Sequence, residues 1–503
     1  MEGLVAAITY IISQAGYAAI FAAILAAAVI ASFRHRTKDE TATAHGTARW
    51  ASRIEARRAG LFSNDGLALG RWPGRLLKPL IRIQTEKHLL TIAPTRAGKG
   101  VGTIIPNLLT YRGSAFVIDP KGENARVTAR RRKAMGQTVH VLDPWNITSL
   151  GQARFNPMMM LDANSVDLAE DAALIAEALV PSNAGTASEA FWEEEAKALV
   201  AGLLLYIVTH EPPALRTLPR LRELLTMDAP DFQALIEFMG TSNAANGLVA
   251  RCANRHRQKP ERERASVISS AQAHTHFLDS PRIQATLAQS DFQPADLKAG
   301  PVTVYLVLPA NRLHSYARWL RLVVNCLLSG LADKPSRTSH PVLFILDEFP
   351  ALGRLASVET ALGLMAGFGV QLWPIVQDLA QLKHLYPDRW ASFLANAGAI
   401  QAFGVNDPMT ADTLSKFLGT RTVSVKNRTE KSGGSGSADT GSSYSVVGRP
   451  LLYPAELRTL PKSKQLLLID GLMPLLADRI TYYADRDFQH LRHVIAWPHG
   501  AAS

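Results

Sequence analysis

Residues 88–102 read HLLTIAPTRAGKGVG. The apolar run His88 to Ile92 stops at Ala93-Pro94, a loop carries Gly98-Lys99-Gly100, and the helix-like stretch Thr103 to Leu109 follows. Strand, loop, lysine and helix in that order make a nucleotide cradle. Backbone amides curl round a phosphate, glycine stands where a Cβ would collide, a helix N-terminus faces the anion, and one lysine serves the outer phosphates. The pattern GxxxxGK[ST] is not met at two places: Ala93 stands for the first glycine, and Gly100 stands where a hydroxyl would hold magnesium. Taken alone, the stretch also describes a glycine-rich turn before a helix.

Far along the chain, Val342-Leu343-Phe344-Ile345-Leu346 delivers Asp347-Glu348. A carboxylate pair at the C-terminal end of a buried strand lies where α/β folds collect ligand chemistry. Asp347 would orient the water shell of Mg²⁺, and Glu348 would polarise the water that attacks a γ-phosphate. The bland alternative, two carboxylates capping the next helix, loses weight beside Lys99. After the next apolar run, Gln377 sits where it can sense a γ-phosphate or position water, although a glutamine there is also an ordinary surface residue.

Further short β-branched runs, Ser114 to Ile118, Thr138 to Leu142, Val302 to Leu308 and Val370 to Val376, are nearly continuous in apolar residues. Strands buried on both faces have this pattern, so the fold class is α/β with a mainly parallel sheet. Between Leu161 and Ser290 the pattern turns to helical periods, such as Asp167 to Val180, Ala190 to Val208, Leu215 to Met227 and Pro230 to Met239, which predicts an all-helical domain inserted into the α/β one. The expected order is an anchor at 1–33, a stalk and entry at 34–85, the first part of the α/β domain at 86–160, the insert at 161–290 and the second part at 291–503. Within the last, residues 424–448 (SVKNRTEKSGGSGSADTGSSYSVVG) are Ser/Gly-rich and predict a mobile loop rather than an element.

The chain has 503 residues, room for two or three domains, with 47% hydrophobic residues and 54 basic against 43 acidic side chains, a net charge of +11. That excludes small disulfide scaffolds and collagen-like chains and suits a negatively charged partner. Cys252 and Cys326 have no CxxC spacing, so neither a disulfide framework nor structural zinc is expected, and the body belongs in a reducing compartment.

Gly3 to Phe33 carries no charge. About 20 residues cross a bilayer core of about 30 Å, so the stretch predicts one membrane-spanning helix. A signal peptide would want a positive segment before the apolar run, whereas this chain opens Met-Glu-Gly and puts Arg34, Arg36, Lys38, Arg49 and Arg53 after it. The positive-inside rule then leaves the body in the cytoplasm.

Eight ordered blocks carry a family resemblance: APTRAGKGVG, SAFVIDPKGENARVTARRR, VHVLDPWN with FNP, VTVYLVLP, LFILDEFPALGRL, PIVQDLAQLKHLYPDRW, FGVNDPMTADTLSKFLG and RPLLYPAELRTLP. Together they resemble the coupling proteins of bacterial type IV secretion and conjugation, the TraG/TraD type, over about residues 45–490. The resemblance implies an inner-membrane ATPase related to RecA-like and FtsK-like motors, working as a homo-hexamer with ATP and Mg²⁺. The implied partners are the relaxase and relaxosome with single-stranded DNA, secreted effector proteins, and the channel components of the inner membrane. The implied nucleotide-binding residues are Thr95, Arg96, Ala97, Gly98, Lys99, Gly100 and Val101. Asp347 is the metal residue, through water, and Lys99, Glu348 and Gln377 are the catalytic set. Asp119 and Glu123, in the block Asp119-Pro120-Lys121-Gly122-Glu123, are expected to border the same site. The chain departs from the family in two ways. It has room for one membrane helix where many members have two, and Met365 to Gly369 lacks the arginine that some relatives lend to a neighbouring subunit. Arg354, Arg318 and Arg321 are the candidates to replace that arginine.

A strand of DNA would meet basic groups. Arg126, Arg130, Arg131, Arg132 and Lys133 form the densest cluster, and Arg255, Arg257, Lys259, Arg262 and Arg264 form a second; either can also be a solvated helix face. His274 and His276 lack acidic or cysteine companions and read as ordinary histidines rather than metal ligands. Two other readings stay open beside the motor: a membrane-anchored nucleotide-binding docking platform without turnover, and an FtsK-like DNA translocase, which should carry a DNA-reading domain at its C-terminus.

Overall fold

The computed structural model describes residues 43–74, 78–181, 187–332, 339–430 and 440–491. The predicted membrane span lies outside them, and among them no helix is long and apolar enough to cross a membrane. By its contacts the chain divides into two units, Met1–Arg49 with Asp412–Leu457, and Trp50–Ala411 with Arg458–Ser503.

The larger unit is built on one sheet. In chain order its strands are β1 (Leu67–Arg71), β2 (Leu80–Ile83), β3 (His88–Ile92), β4 (Ala115–Asp119), β5 (Thr138–Leu142), β6 (Val302–Val307), β7 (Val342–Leu346), β8 (Val370–Val376) and β9 (Ala397–Ala402). The smaller unit supplies β10 (Thr420–Glu430) and β11 (Thr440–Pro450), after which β12 (Lys464–Ile469) and β13 (Leu475–Asp478) return to the sheet. Across the sheet the order is β2-β1-β13-β12-β9-β3-β8-β7-β4-β6-β5. From β9 to β5 every pairing is parallel, and β12, β13, β1 and β2 extend it antiparallel. Every residue of β3, β4, β7 and β8 is buried, which is why these strands read as unbroken apolar runs rather than alternating ones.

Behind the sheet's centre lies a buried polar tie. Gln401 on β9 accepts hydrogen bonds at Oε1 from the Thr91 and Thr103 hydroxyls (3.0 and 3.1 Å), while its Nε2 donates to the Leu69 carbonyl (3.0 Å) and Gln465 Oε1 (2.7 Å). Asn107 continues it, accepting the Ala68 N–H and donating to the carbonyls of Ala68 and Thr103. The tie joins β1, β3, β9 and β12 to the helix behind the glycine-bearing loop.

Between β5 and β6 the described residues form helices and no strand, among them Leu168–Leu179, Ala187–His210, Leu218–Leu225, Ala229–Gly240, Leu248–Arg257, Glu261–Thr275 and Pro281–Leu287. Side chains of Thr217 and Asp228 cap two of them. The region enters and leaves at one neck. Phe155 N–H bonds to Thr286 O (2.8 Å), Asn156 N–H to Ser290 Oγ (2.9 Å), Arg154 pairs with Asp291 (2.9 Å), and the Phe155 and Phe292 rings stack at 5.2 Å.

The Ser/Gly-rich stretch corrects an expectation. Residues 424–448 fall largely on the antiparallel hairpin β10–β11, registered from Thr420 opposite Pro450 to Glu430 opposite Thr440. Alternation in Thr420-Arg421-Thr422-Val423-Ser424-Val425 and the pair Val446-Val447 carry strand propensity that the composition of the centre conceals. In the same unit His45 ties to the hairpin through Thr422 Oγ1 (3.0 Å) and the Val446 carbonyl (3.1 Å).

Gln401→Leu would strip the Thr91 and Thr103 hydroxyls of their acceptor inside the core. It is expected to cost about 2 kcal/mol and to lower the calorimetric melting temperature; an unchanged midpoint would show the tie to be dispensable.

Candidate nucleotide site

Three neighbouring strand ends make the site. β8 lies between β3 and β7, so the loop after β3, the carboxylates after β7 and Gln377 after β8 emerge side by side. Lys99 Nζ stands 2.5 Å from Glu348 Oε1 and 3.0 Å from Asp347 Oδ1, and Gln377 Nε2 donates to Glu348 Oε2 at 3.1 Å. Lys99 and Asp347 side chains are each 13% exposed and Glu348 24%, so the cluster is shielded yet reachable.

Local backbone explains how two consecutive carboxylates meet one ammonium. Continued strand would throw them to opposite faces. Glu348 instead takes a left-handed conformation (φ 54°, ψ 41°), and its N–H bonds to Asp347 Oδ1 at 3.0 Å. A non-glycine residue there is strained, and such strain gathers at functional sites. The loop has two more left-handed positions, Arg96 (φ 63°) and Gly98 (φ 82°). A Cβ on Gly98 would come within 2.9 Å of the Arg479 guanidinium.

The helix after the loop opens as a π-turn, Gly100–Ile104, whose closing bond runs from Ile105 N–H to Gly100 O, before α-helix Ile105–Thr110. Pro106 lacks the N–H that would bond back to Gly102 and crowds that carbonyl, so the turn widens. The next hydroxyl after Gly100, that of Thr103, is buried and given to Gln401. These residues fit a phosphate chain, and with no hydroxyl available just after Lys99, Asp347 would be the residue to hold magnesium.

Electrostatics follow the geometry. Burial opposes the charge of Lys99, but Asp347 and Glu348 hold its pKa above the usual value. Burial likewise works against Glu348, yet Lys99 and Gln377 bring its carboxyl below the usual range. For Asp347 burial prevails over Lys99 and raises it. Asp119, at the end of β4 beside β7, is 1% exposed, accepts the Ala125 N–H (2.8 Å), and is pushed up to about 7, by burial first and by the charge of Asp347 as well. Glu123 lies in the first turn of helix Glu123–Ala134, next to Asp119's hydrogen-bonding partners.

The basic cluster divides. Arg132 is fully buried, with its guanidinium given to the Tyr111 and Gly113 carbonyls and to Thr303 Oγ1, so burial holds its pKa down to about 10 and it is a structural residue rather than a DNA contact. Arg126 bonds to the Ile147 and Lys121 carbonyls and Arg131 to the Leu109 carbonyl, whereas Arg130 and Lys133 are exposed. In the second cluster Arg255 and Lys259 converge on Glu195 at 2.8 Å each. Of the three candidate arginines, Arg354 pairs with Glu359 (2.7 Å), Arg318 donates to the Ala273 carbonyl (2.6 Å), and Arg321 has a buried Nε with no partner. His274 is buried and His276 pairs with Asp279 at 3.0 Å, and the described residues contain no cluster able to hold a metal through His, Cys, Asp and Glu alone. The residue that sequence reading missed is Arg479, more than 370 positions from the loop it touches, with no motif around it.

Asp119 sets a pH dependence. In an unfolded chain its carboxyl ionises near 3.8, whereas the native one keeps its proton to about 7. Its contribution to stability is therefore full below the ordinary carboxyl range and is lost as pH rises through 7. Between about pH 5 and about pH 8 the wild-type melting temperature should fall more steeply than that of Asp119→Asn; parallel profiles would remove Asp119 from that account.

The family model described as "Type IV secretory system Conjugative DNA transfer" matches residues 35–497. The conjugal transfer protein TraG of Escherichia coli is 30% identical over 482 residues, covering 88% of this chain and 74% of that protein, and VirD4 of Agrobacterium fabrum is 30% identical over 481 residues, covering 93% and 69%. Among solved structures, the plasmid coupling protein TrwB in complex with the non-hydrolysable ATP analogue ADPNP aligns with a TM-score of 0.62 at 15% identity, covering 88% of this chain and 98% of that one. Its complex with ADP and Mg²⁺ aligns at 0.62 and 17% identity, covering 87% and 95%, and both show the fold shared. On the strength of the matched span and these relatives, the chain belongs to the conjugative DNA transfer family of type IV secretion, the TraG and VirD4 coupling proteins.

Proposed function

We propose that this protein is an ATP-hydrolysing coupling protein that brings relaxase-bound single-stranded DNA, protein substrates, or both to a type IV secretion channel. The observation that carries the reading is the convergence of Lys99, Asp347, Glu348 and Gln377 at three adjacent strand ends.

Lys99 pairs with both carboxylates until a polyphosphate competes for it. Its ammonium is then the charge that the outer phosphates take up, and Glu348 is left free on one oxygen while Gln377 keeps hold of the other. A carboxylate kept below its usual pKa stays ionised at neutral pH, so Glu348 orients and polarises the attacking water. Asp347 would hold the water shell of magnesium, which when bound supplies charge neutralisation at the β- and γ-phosphate oxygens. The tie from Thr103 through Gln401 keeps the helix behind the loop fixed to the sheet.

The rest of the assignment follows the family. The apolar segment Gly3 to Phe33 anchors the chain in the bacterial inner membrane with its body in the cytoplasm, the subunits assemble as a hexamer, and the helical insert takes part in choosing cargo from the relaxosome. Arg130 and Lys133 remain the exposed cations of the first basic cluster for a DNA strand to meet. A second reading, a nucleotide-binding docking platform without turnover, is favoured by Gly100 in place of a hydroxyl and by the missing arginine in Met365 to Gly369.

Glu348→Gln is expected to keep nucleotide binding and to lower ATP turnover by about 100-fold or more, with transfer lost in a mating assay; Lys99→Ala should lose both binding and turnover. ATP turnover absent from the wild-type protein with DNA present would leave the docking platform, and normal transfer by either variant would refute the motor.

A further inference from the structure

The phosphate-facing loop is held from behind by a guanidinium from the far end of the chain. Directly after β13, Arg479 sends Nη2 to the carbonyl oxygens of Ala97 (2.5 Å) and Gly98 (3.1 Å) and Nη1 to the Lys462 carbonyl (3.0 Å). The guanidinium lies 4.0 Å above the centre of the Phe403 ring. Its own backbone N–H is fixed to Ser463 O at 2.8 Å. Nε is buried without a partner, no carboxylate pairs with Arg479 among the described residues, and burial lowers its pKa.

A half-buried cation without a counter-charge is costly unless its hydrogen bonds accomplish something. Here they fix two successive peptide groups of the nucleotide loop. In a trans peptide the N–H points opposite to the C=O. Carbonyls of residues 97 and 98 drawn towards Arg479 therefore turn the amides of Gly98 and Lys99 the other way, to the side open to an anion. The segment that carries Arg479 is itself tied down. Arg71 grips Asp485 through Nε and Nη2 (2.6 and 2.5 Å) and Asp487 through Nη2 (2.5 Å), while Tyr482 N–H reaches the Val101 carbonyl at 3.4 Å.

We propose that Arg479 is a positioning residue of the nucleotide site: it presets the Gly98 and Lys99 amides for the phosphates of ADP and ATP, and so governs nucleotide affinity rather than the hydrolytic step. The proposal rests on the nucleotide-binding part of the reading above and adds a residue to that site. Lysine is no substitute, because one ammonium cannot reproduce the planar group that holds the loop carbonyls through Nη2 and the Lys462 carbonyl through Nη1 while lying on an aromatic ring.

The test uses the full-length protein as wild type, Arg479→Ala and Arg479→Lys. It measures the dissociation constant for ADP, the KM and kcat for ATP, and the melting temperature without nucleotide. Arg479→Ala should weaken ADP and raise KM by about 30-fold with kcat within about threefold of wild type, and Arg479→Lys should fall between. The nucleotide-free melting temperature of the lysine variant should match wild type, which a purely structural role would not allow alongside lost affinity. Wild-type ADP affinity in a folded variant overturns the proposal, and so does a fall in kcat at constant KM. If the alanine variant does not fold, the lysine variant decides on the same criteria. Wild-type protein that binds ADP without turning over ATP removes the motor reading and leaves the ADP titration to judge Arg479; wild-type protein that binds no ADP overturns both.

Discussion

One half-shielded ammonium between two carboxylates is the constraint on which the site depends. Lys99 lies 2.5 Å from Glu348 and 3.0 Å from Asp347, and the three groups come from chain segments about 250 positions apart that meet only because β8 is threaded between β3 and β7. A salt bridge at this depth is poor evidence for stability, since removing charge from water offsets most of the attraction. Its value is that the carboxylates keep the lysine aimed into the site, where a phosphate chain would bring its own counter-charge.

Everything around that cluster serves its geometry. Strands β3, β4, β7 and β8 are buried along their whole length, so packing on both faces holds the ends that carry the site. The left-handed Glu348 folds the second carboxylate back to the first. Behind the loop, the Gln401 tie satisfies polar atoms that would otherwise be orphaned in the core, and it anchors the helix through Thr103 and Asn107. That use of Thr103 leaves the helix without a free hydroxyl in its first turn.

The sequence announced the parts whose chemistry is contiguous. Gly98-Lys99 and Asp347-Glu348 each follow an unbroken apolar run, and a buried parallel strand followed by ligand-binding residues leaves that local trace. Gln377 was reached in the same way. The antiparallel extension formed by β1, β2, β12 and β13 left weaker traces, because its members are short and are recruited from opposite ends of the chain. The hairpin β10–β11 was hidden by the serine and glycine content of its centre. Arg132 looked like one more cation in a basic run, and only its place against Tyr111 and Gly113 shows it to be an internal brace. Arg479 had no local trace at all, since its partners are backbone carbonyls, and any residue can supply those.

The neck formed by Arg154, Phe155 and Asn156 against Thr286, Ser290 and Asp291 has an evolutionary consequence. Where both borders of a long insertion meet within a hydrogen bond of each other, the insertion imposes no strain on its host and can lengthen, shrink or be replaced wholesale. Lineages could therefore exchange this cassette while inheriting the same sheet and the cluster at its strand ends.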